Sequence, residues 1–251
     1  MTVEAIVLAK DEEGNIRDCL RSLLWADGLT VFLDSRSSDD TARISASLGA
    51  RVLVHPFHNF AEQRNAALKA AWGDWVFFFD ADERSTPALA EETREVVTRL
   101  EAGWWVPRDN YIFGRLTRHA GWYPDYQLRL LKRGCASYDL SRPVHETVLL
   151  QGEMGYLKNA LVHYNYYSLR QFCEKQRHYA RLDAEALARQ GVHPRPHSLV
   201  MQPLREFRRR FVELHGYKDG LHGLLLSLLL AYYTFRTYGY LLLPRREALP
   251  L

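Results

Sequence analysis

From Trp75 to Phe79 the chain runs through five apolar residues, straight into Asp80-Ala81-Asp82-Glu83. An unbroken apolar run this short, closed by acids, suits a strand buried on both faces rather than one with a wet face. Strands of that kind belong to parallel sheets covered by helices, whose ligands bind beyond the strands' carboxyl ends. Two carboxylates held there suit a hard, oxygen-seeking cation, Mg2+ or Mn2+, shared with substrate phosphates. Acids in that position also serve as plain turn and helix-cap residues. The run alone leaves both readings open.

The preceding sequence repeats the pattern. Val3–Ala9 reads as a strand, and Asn15 as the cap of a helix carrying Ile16, Leu20, Leu23 and Leu24. Strands follow at Leu29–Leu33 and Arg51–Val54, with helices at Thr41–Leu48, closed by Gly49, and Phe60–Trp72, closed by Gly73. Pro87 opens a further helix. Strand–helix alternation at this pitch predicts a Rossmann-like α/β fold, a mostly parallel sheet with helices on both faces. After about residue 103 the pattern changes. Aromatic segments broken by Gly and Pro, at Trp104–Pro107, Tyr111–Gly114, Trp122–Arg133 and Val144–Leu150, predict antiparallel strands and loops. From Ser168 the spacing predicts helices over Leu169–Gln190, Leu199–His215 and Gly220–Leu243.

Composition excludes some partners. With 251 residues the chain makes one or two domains, and its net charge of +3 is too small to argue for nucleic acid. Cys19, Cys135 and Cys173 are scattered without metal spacing, which fits a reducing cytosol and no disulfide framework. The N-terminus enters a strand with no basic, apolar leader, so a cytoplasmic location is expected. No sequence signal sets the oligomeric state.

Four motifs in order resemble the GT-A glycosyltransferases of family 2. They are Leu8-Ala9-Lys10-Asp11-Glu12-Glu13, Asp34-Ser35-Arg36-Ser37-Ser38-Asp39-Asp40-Thr41, Gln63-Arg64-Asn65-Ala66-Ala67-Leu68 and Asp80-Ala81-Asp82. Three later segments, Gly121–Leu130, Val144-His145-Glu146 and Leu161-Val162-His163-Tyr164, resemble the subgroup that builds lipopolysaccharide inner core, similar to heptose β-1,4-glucosyltransferases. The resemblance implies an inverting, metal-dependent transfer from a nucleotide diphosphate sugar, UDP-linked, to a cell-envelope glycan or lipid-linked acceptor. The implied layout is a GT-A catalytic domain over 1–165, with a nucleotide-sugar half at 1–102 and an acceptor half at 103–165. A helical extension fills 166–251. The chain departs from the family loop at Ser35, where a second acid falls, and Arg36, where glycine falls. By the resemblance, the carboxylate that would read the uracil N–H is then either missing or supplied by Asp34.

Asp82 is the expected metal ligand, with Asp80 facing the ribose or the metal's water shell. Arg64 is expected on phosphate or base, unless it is a solvated helix arginine. Asp34 and Asp39 contact the nucleotide or cap the Thr41 helix, and Glu12 or Glu13 faces the nucleoside. A base must take the acceptor hydroxyl's proton, and Asp125, rigidly placed after Pro124, is the candidate; desolvation there would raise its pKa. Alternation puts Asp125, Gln127 and Arg129 on one strand face, with Arg129 available to the diphosphate or paired to the acid. His145 is offered as a third ligand, and Glu146 and Trp122 as acceptor contacts. His163 reads as a packed histidine, and Trp104, Trp105 and Tyr123 as sugar platforms or core.

Two other classes compete. A nucleotidyltransferase would want a glycine-rich phosphate loop with a lysine, whereas Lys10 is followed by three acids. A non-catalytic sugar-nucleotide-binding or membrane-scaffold protein would need no acceptor-side base. In the tail, Leu221–Phe235 is apolar for 15 residues apart from His222 and Ser227. That is about 22 Å of helix, short of the roughly 30 Å hydrocarbon core. With the arginines of 205–210 and Arg245 and Arg246 it suggests attachment to an anionic inner-leaflet surface through 205–246. A core helix or a dimer contact is the alternative.

Overall fold

The computed structural model describes residues 1–140 and 147–242. These fall into two compact units, one of 1–109 with 125–163, the other of 110–124 with the residues from 164 onward.

The first unit opens with β1 (Val3–Ala9), α1 (Ile16–Ser22), β2 (Gly28–Asp34), α2 (Thr41–Ser47), β3 (Arg51–His55) and α3 (Phe60–Ala70). Next come β4 (Trp75–Asp80), the two-residue β5 (Glu83–Arg84), α4 (Pro87–Val96) and β6 (Gly103–Ile112), whose last residues enter the second unit. There β7 (Arg115–Thr117) follows. The chain returns with β8 (Tyr126–Lys132), β9 (Ala136–Tyr138), β10 (Val148–Leu150), β11 (Met154–Tyr156) and β12 (Leu161–Tyr166). The second unit is completed by α5 (Leu169–Arg189), α6 (Ser198–Arg208) and α7 (Gly220–Leu242).

The sheet order runs β3-β2-β1-β4-β8-β6-β12-β5. The first four strands are parallel, and β8 joins β4 and β6 antiparallel. As expected, this is a mostly parallel sheet with antiparallel strands added on one side, and a helical region follows it in the chain.

Burial of β4 on both faces explains its unbroken apolar run. Trp75, Phe77 and Phe79 pack with Leu20 and Leu23 near α1 and with Leu89 and Val96 of α4. Val76 and Phe78 face the other way, onto Ala61 and Ala67 of α3. Each fully buried phenylalanine contributes about 1.5–3 kcal/mol. Thr86 caps α4 by accepting from the Leu89 amide at 3.1 Å, with Pro87 in the first turn.

Three local expectations are corrected. Asn15 does not cap α1 with its side chain; its Nδ2 donates to Glu12 Oε2 at 2.8 Å. α3 ends at Ala70 rather than Trp72, because the buried Glu4 carboxylate accepts from the Trp72 and Gly73 amides at 2.7 and 3.1 Å. The helix expected over 199–215 stops at Arg208. A wide turn over 209–213 follows, and His215 at φ +55° ends the helical path.

In the second unit Phe172 and Ala180 of α5 pack against Leu226, Leu230 and Tyr233 of α7, with Ile112 and Tyr166.

Candidate functional site

The first unit gathers its charged side chains beyond the carboxyl ends of β1, β2 and β4. The loops after β1 and β2 are laced to each other. The Glu12 amide donates to Thr41 Oγ1 at 2.8 Å, the Glu13 amide to Asp39 Oδ2 at 2.8 Å, and the Ser38 amide to Asp11 Oδ1 at 2.8 Å. Asp39 also accepts from the Thr41 amide at 3.0 Å, two residues on, while the N-cap position of α2 is held by Asp40, whose side chain makes no capping bond. These contacts fix the rim that Glu12 presents.

Asp34 ends β2 and is buried. Its carboxylate accepts from the Arg36 amide at 3.0 Å and from Arg36 Nη2 at 2.7 Å. Hydrogen bonds from Arg36 hold the Asp34 carboxyl below its usual range. Arg36 in turn lies over the Phe57 ring, 5.7 Å from its centre. The residue standing at the family's glycine position therefore closes over the acid before it.

At the end of β4 the two aspartates differ in their company. Asp80 accepts from Arg129 Nη1 at 3.2 Å and Nη2 at 2.6 Å, a bidentate pair, and from Arg64 Nη2 at 3.2 Å. Arg64 is buried on α3, its guanidinium 5.1 Å from the Phe78 ring centre and 5.8 Å from that of Tyr138. Burial opposes the Asp80 charge, but Arg129 and Arg64 outweigh it and hold the carboxyl far below the usual range. Arg129 is pushed up in the same way: burial opposes its charge, and Asp80 and Glu83 more than compensate.

Glu83, fully buried, accepts from the Asp80 amide at 2.9 Å. Its other oxygen faces Arg108 Nη1 at 3.4 Å and Arg129 Nη2 at 3.8 Å. Arg108 of β6 continues to Asp125, donating to Oδ2 from Nη2 at 2.6 Å and Nε at 2.9 Å. Gln127 Nε2 donates to Asp125 Oδ1 at 3.0 Å. A chain of alternating charge results: Arg64, Asp80, Arg129, Glu83, Arg108, Asp125. Its three guanidiniums balance its three carboxylates.

Asp82 stands outside that chain. It is about a quarter exposed, and it has no Arg or Lys partner among the described residues. Its Oδ2 lies 3.6 Å from His163 Nε2, longer than a hydrogen bond. His163 arrives there because β12 pairs antiparallel with β5, setting His163 opposite Glu83. The surplus carboxylate is a hard oxygen donor of the kind Mg2+ or Mn2+ takes, whereas the neighbouring imidazole is a softer donor that such ions take less readily. No group of three His, Cys, Asp or Glu that could hold a metal occurs among the described residues.

Of the expected residues, the structure brings together Arg64, Asp80, Asp82, Asp125 and Arg129. Asp125 was expected as a desolvated acid; it is instead an ion-paired one, held by Arg108. Arg64 and Arg129, expected on phosphate, are both engaged by Asp80. Trp122 lies in the second unit, packed against that unit's core with its ring edge-on to Tyr166 at 6.2 Å. His145 and Glu146 lie outside the described residues. Sequence reasoning missed Glu83 and Arg108 and set His163 aside. The only local signal was Glu83 directly following the Asp-x-Asp.

The profile of the family described as Glycosyl transferase family 2 matches residues 4–163. The chain is 30% identical over 250 residues to the lipopolysaccharide core biosynthesis glycosyltransferase LpsC of Rhizobium meliloti, covering 94% of this chain and 90% of that one. It is 23% identical over 251 residues to an uncharacterized glycosyltransferase of Rickettsia typhi, covering 93% and 84% respectively. Among solved structures, it is similar to glucosyl-3-phosphoglycerate synthase from Mycobacterium tuberculosis in complex with Mn2+, UDP and glucosyl-3-phosphoglycerate. The TM-score is 0.48 at 19% identity, over 77% of this chain and 81% of that one.

Proposed function

Because the chain belongs to glycosyl transferase family 2, we propose that it moves a sugar, with inversion, from a UDP-linked donor to an envelope glycan or lipid-linked acceptor. The relative named for lipopolysaccharide core biosynthesis supports that acceptor class. One observation carries the reading: of the acids at the end of β4, arginines neutralise Asp80 and Glu83 and leave Asp82 in surplus.

Asp82, with His163 beside it, would hold the Mg2+ or Mn2+. When bound, the cation offsets the charge that develops on the departing diphosphate. Arg129 and Arg64 fix Asp80, and through it the turn that carries Asp82. Glu83 fastens the same turn by its bond from the Asp80 amide. Asp34 and Glu12 line the nucleoside side.

Asp125 serves as the base. As the acceptor oxygen bonds the sugar's anomeric carbon from the face opposite the departing diphosphate, its proton passes to the Asp125 carboxylate. The bond from that carbon to the diphosphate oxygen breaks, and the electron pair leaves with the nucleotide. Arg108 orients the Asp125 carboxylate through two hydrogen bonds.

The test is calorimetry of UDP with Mn2+ on the parent and Asp82→Asn. The variant keeps size and loses charge, so binding should weaken at least tenfold and become insensitive to chelator. Equal affinity for the two proteins, with and without chelator, removes Asp82 from the site and the reading with it.

A further inference from the structure

The side of α7 turned away from its own core is apolar. Leu221, Leu225, Leu228, Tyr232 and Phe235 are all exposed, Leu221 by 83% and Leu228 by 51%. Their spacing of four and three residues sets them in one stripe along the helix. The opposite side, with Leu226, Leu230 and Tyr233, is buried in the second unit. α6 has no buried residue at all and exposes Val200, Met201 and Leu204. No helix among the described residues is long and apolar enough to cross a membrane. The stripe therefore suits a surface that it can lie on.

Charge selects the partner. Residues 198–242 hold six basic side chains against three acidic ones. Arg205 is exposed without an acidic partner among the described residues. Arg208 is 75% exposed, 3.3 Å from Glu213, and Arg209 shares Glu206 with Arg210. The surplus of positive charge on this face opposes its packing on a second copy with the same surplus, whereas anionic headgroups neutralise it. We propose that the exposed faces of α6 and α7 seat the protein on an anionic lipid surface, the apolar stripe entering the headgroup boundary and the arginines binding phosphate headgroups. The aromatic Tyr232 and Phe235 suit that boundary.

Vesicle cosedimentation of the full chain tests this and needs neither donor nor acceptor, so it stands apart from the transfer reading. The parent should bind vesicles containing phosphatidylglycerol at low salt, and pure phosphatidylcholine far less. Each basic residue near such a surface strengthens binding about fivefold, so Arg205→Gln/Arg208→Gln/Arg209→Gln should lose on the order of 10²-fold. Salt screens that contribution, and Leu225→Ser/Leu228→Ser should weaken binding at high salt as well. Arg210 is left alone because it donates to the Ala120 carbonyl. A parent that ignores anionic vesicles at low salt overturns the proposal, as does a triple arginine variant that binds like the parent. A concentration-dependent dimer broken by the leucine substitutions, without vesicle binding, assigns the face to a second copy and also overturns it.

Discussion

Replacing Arg129 by Met removes the cation that grips Asp80 through two hydrogen bonds and stands 3.8 Å from buried Glu83. Methionine fills much of the aliphatic volume, so the loss is chiefly of charge. Asp80 keeps Arg64 at 3.2 Å, and Glu83 keeps Arg108 at 3.4 Å. Removing one partner of a buried pair costs about 3–5 kcal/mol. A third of the Asp80 side chain is open to water, which screens part of this, so about 2–4 kcal/mol is expected. For a chain of this size the melting temperature should fall by roughly 5–12 °C.

Urea unfolding of the parent, Arg129→Met, Asp80→Asn and the double variant measures the coupling directly. The double variant should be less destabilised than the sum of the singles, by about 1–3 kcal/mol. The same pair sets an acid limit. Asp80's folded carboxyl lies below its unfolded value of 3.8, so its stabilisation is present above that value and is lost as pH falls below it. Arg129→Met should flatten that acid-side loss. Additivity within about 0.5 kcal/mol, with an unchanged acid profile, would refute the reasoning.

Asp125→Asn should retain UDP binding while turnover to acceptor drops about 10²–10⁴-fold, measured by product formation at saturating donor; near-parental turnover transfers the role to another acid. Arg36→Gly removes the main cause of Asp34's lowered carboxyl, so NMR titration should find it moved up toward 3.8, and preference for UDP over ADP should rise. No upward move would show that Arg36 does not hold the acid in solution. Phe78→Ala empties a fully buried position between β4 and α3 and should cost about 3–5 kcal/mol in urea unfolding. A cost below 1 kcal/mol would mean that the face closes over the gap.

The fold was legible where burial acts locally. An apolar run with no period, Trp75–Phe79, reads as a strand covered on both faces, and α1, α3 and α4 cover it. The acids were legible as well, because Asp80 and Asp82 end that strand in the sequence itself. Asp82 was named as the ligand on resemblance alone; the physical difference between the two acids was not legible, because the arginines that hold Asp80 are distant from it in sequence. Arg129 reaches Asp80 across 49 residues, and Arg108 reaches Glu83 across 25. The alternation of Asp125, Gln127 and Arg129 placed them on one face, yet Arg108, which binds the acid to the rest, sits on another strand. His163 read as packing because Tyr164, Tyr166 and Tyr167 surround it in sequence; the antiparallel register with Glu83 brings it to Asp82. Helix ends failed for the same reason, since α3 stops where Glu4, far back in β1, takes the last amides. A buried charge is tolerable only with its counter-charge in place. In the proposed site, the arginines that occupy Asp80 therefore matter as much as the aspartate they leave alone.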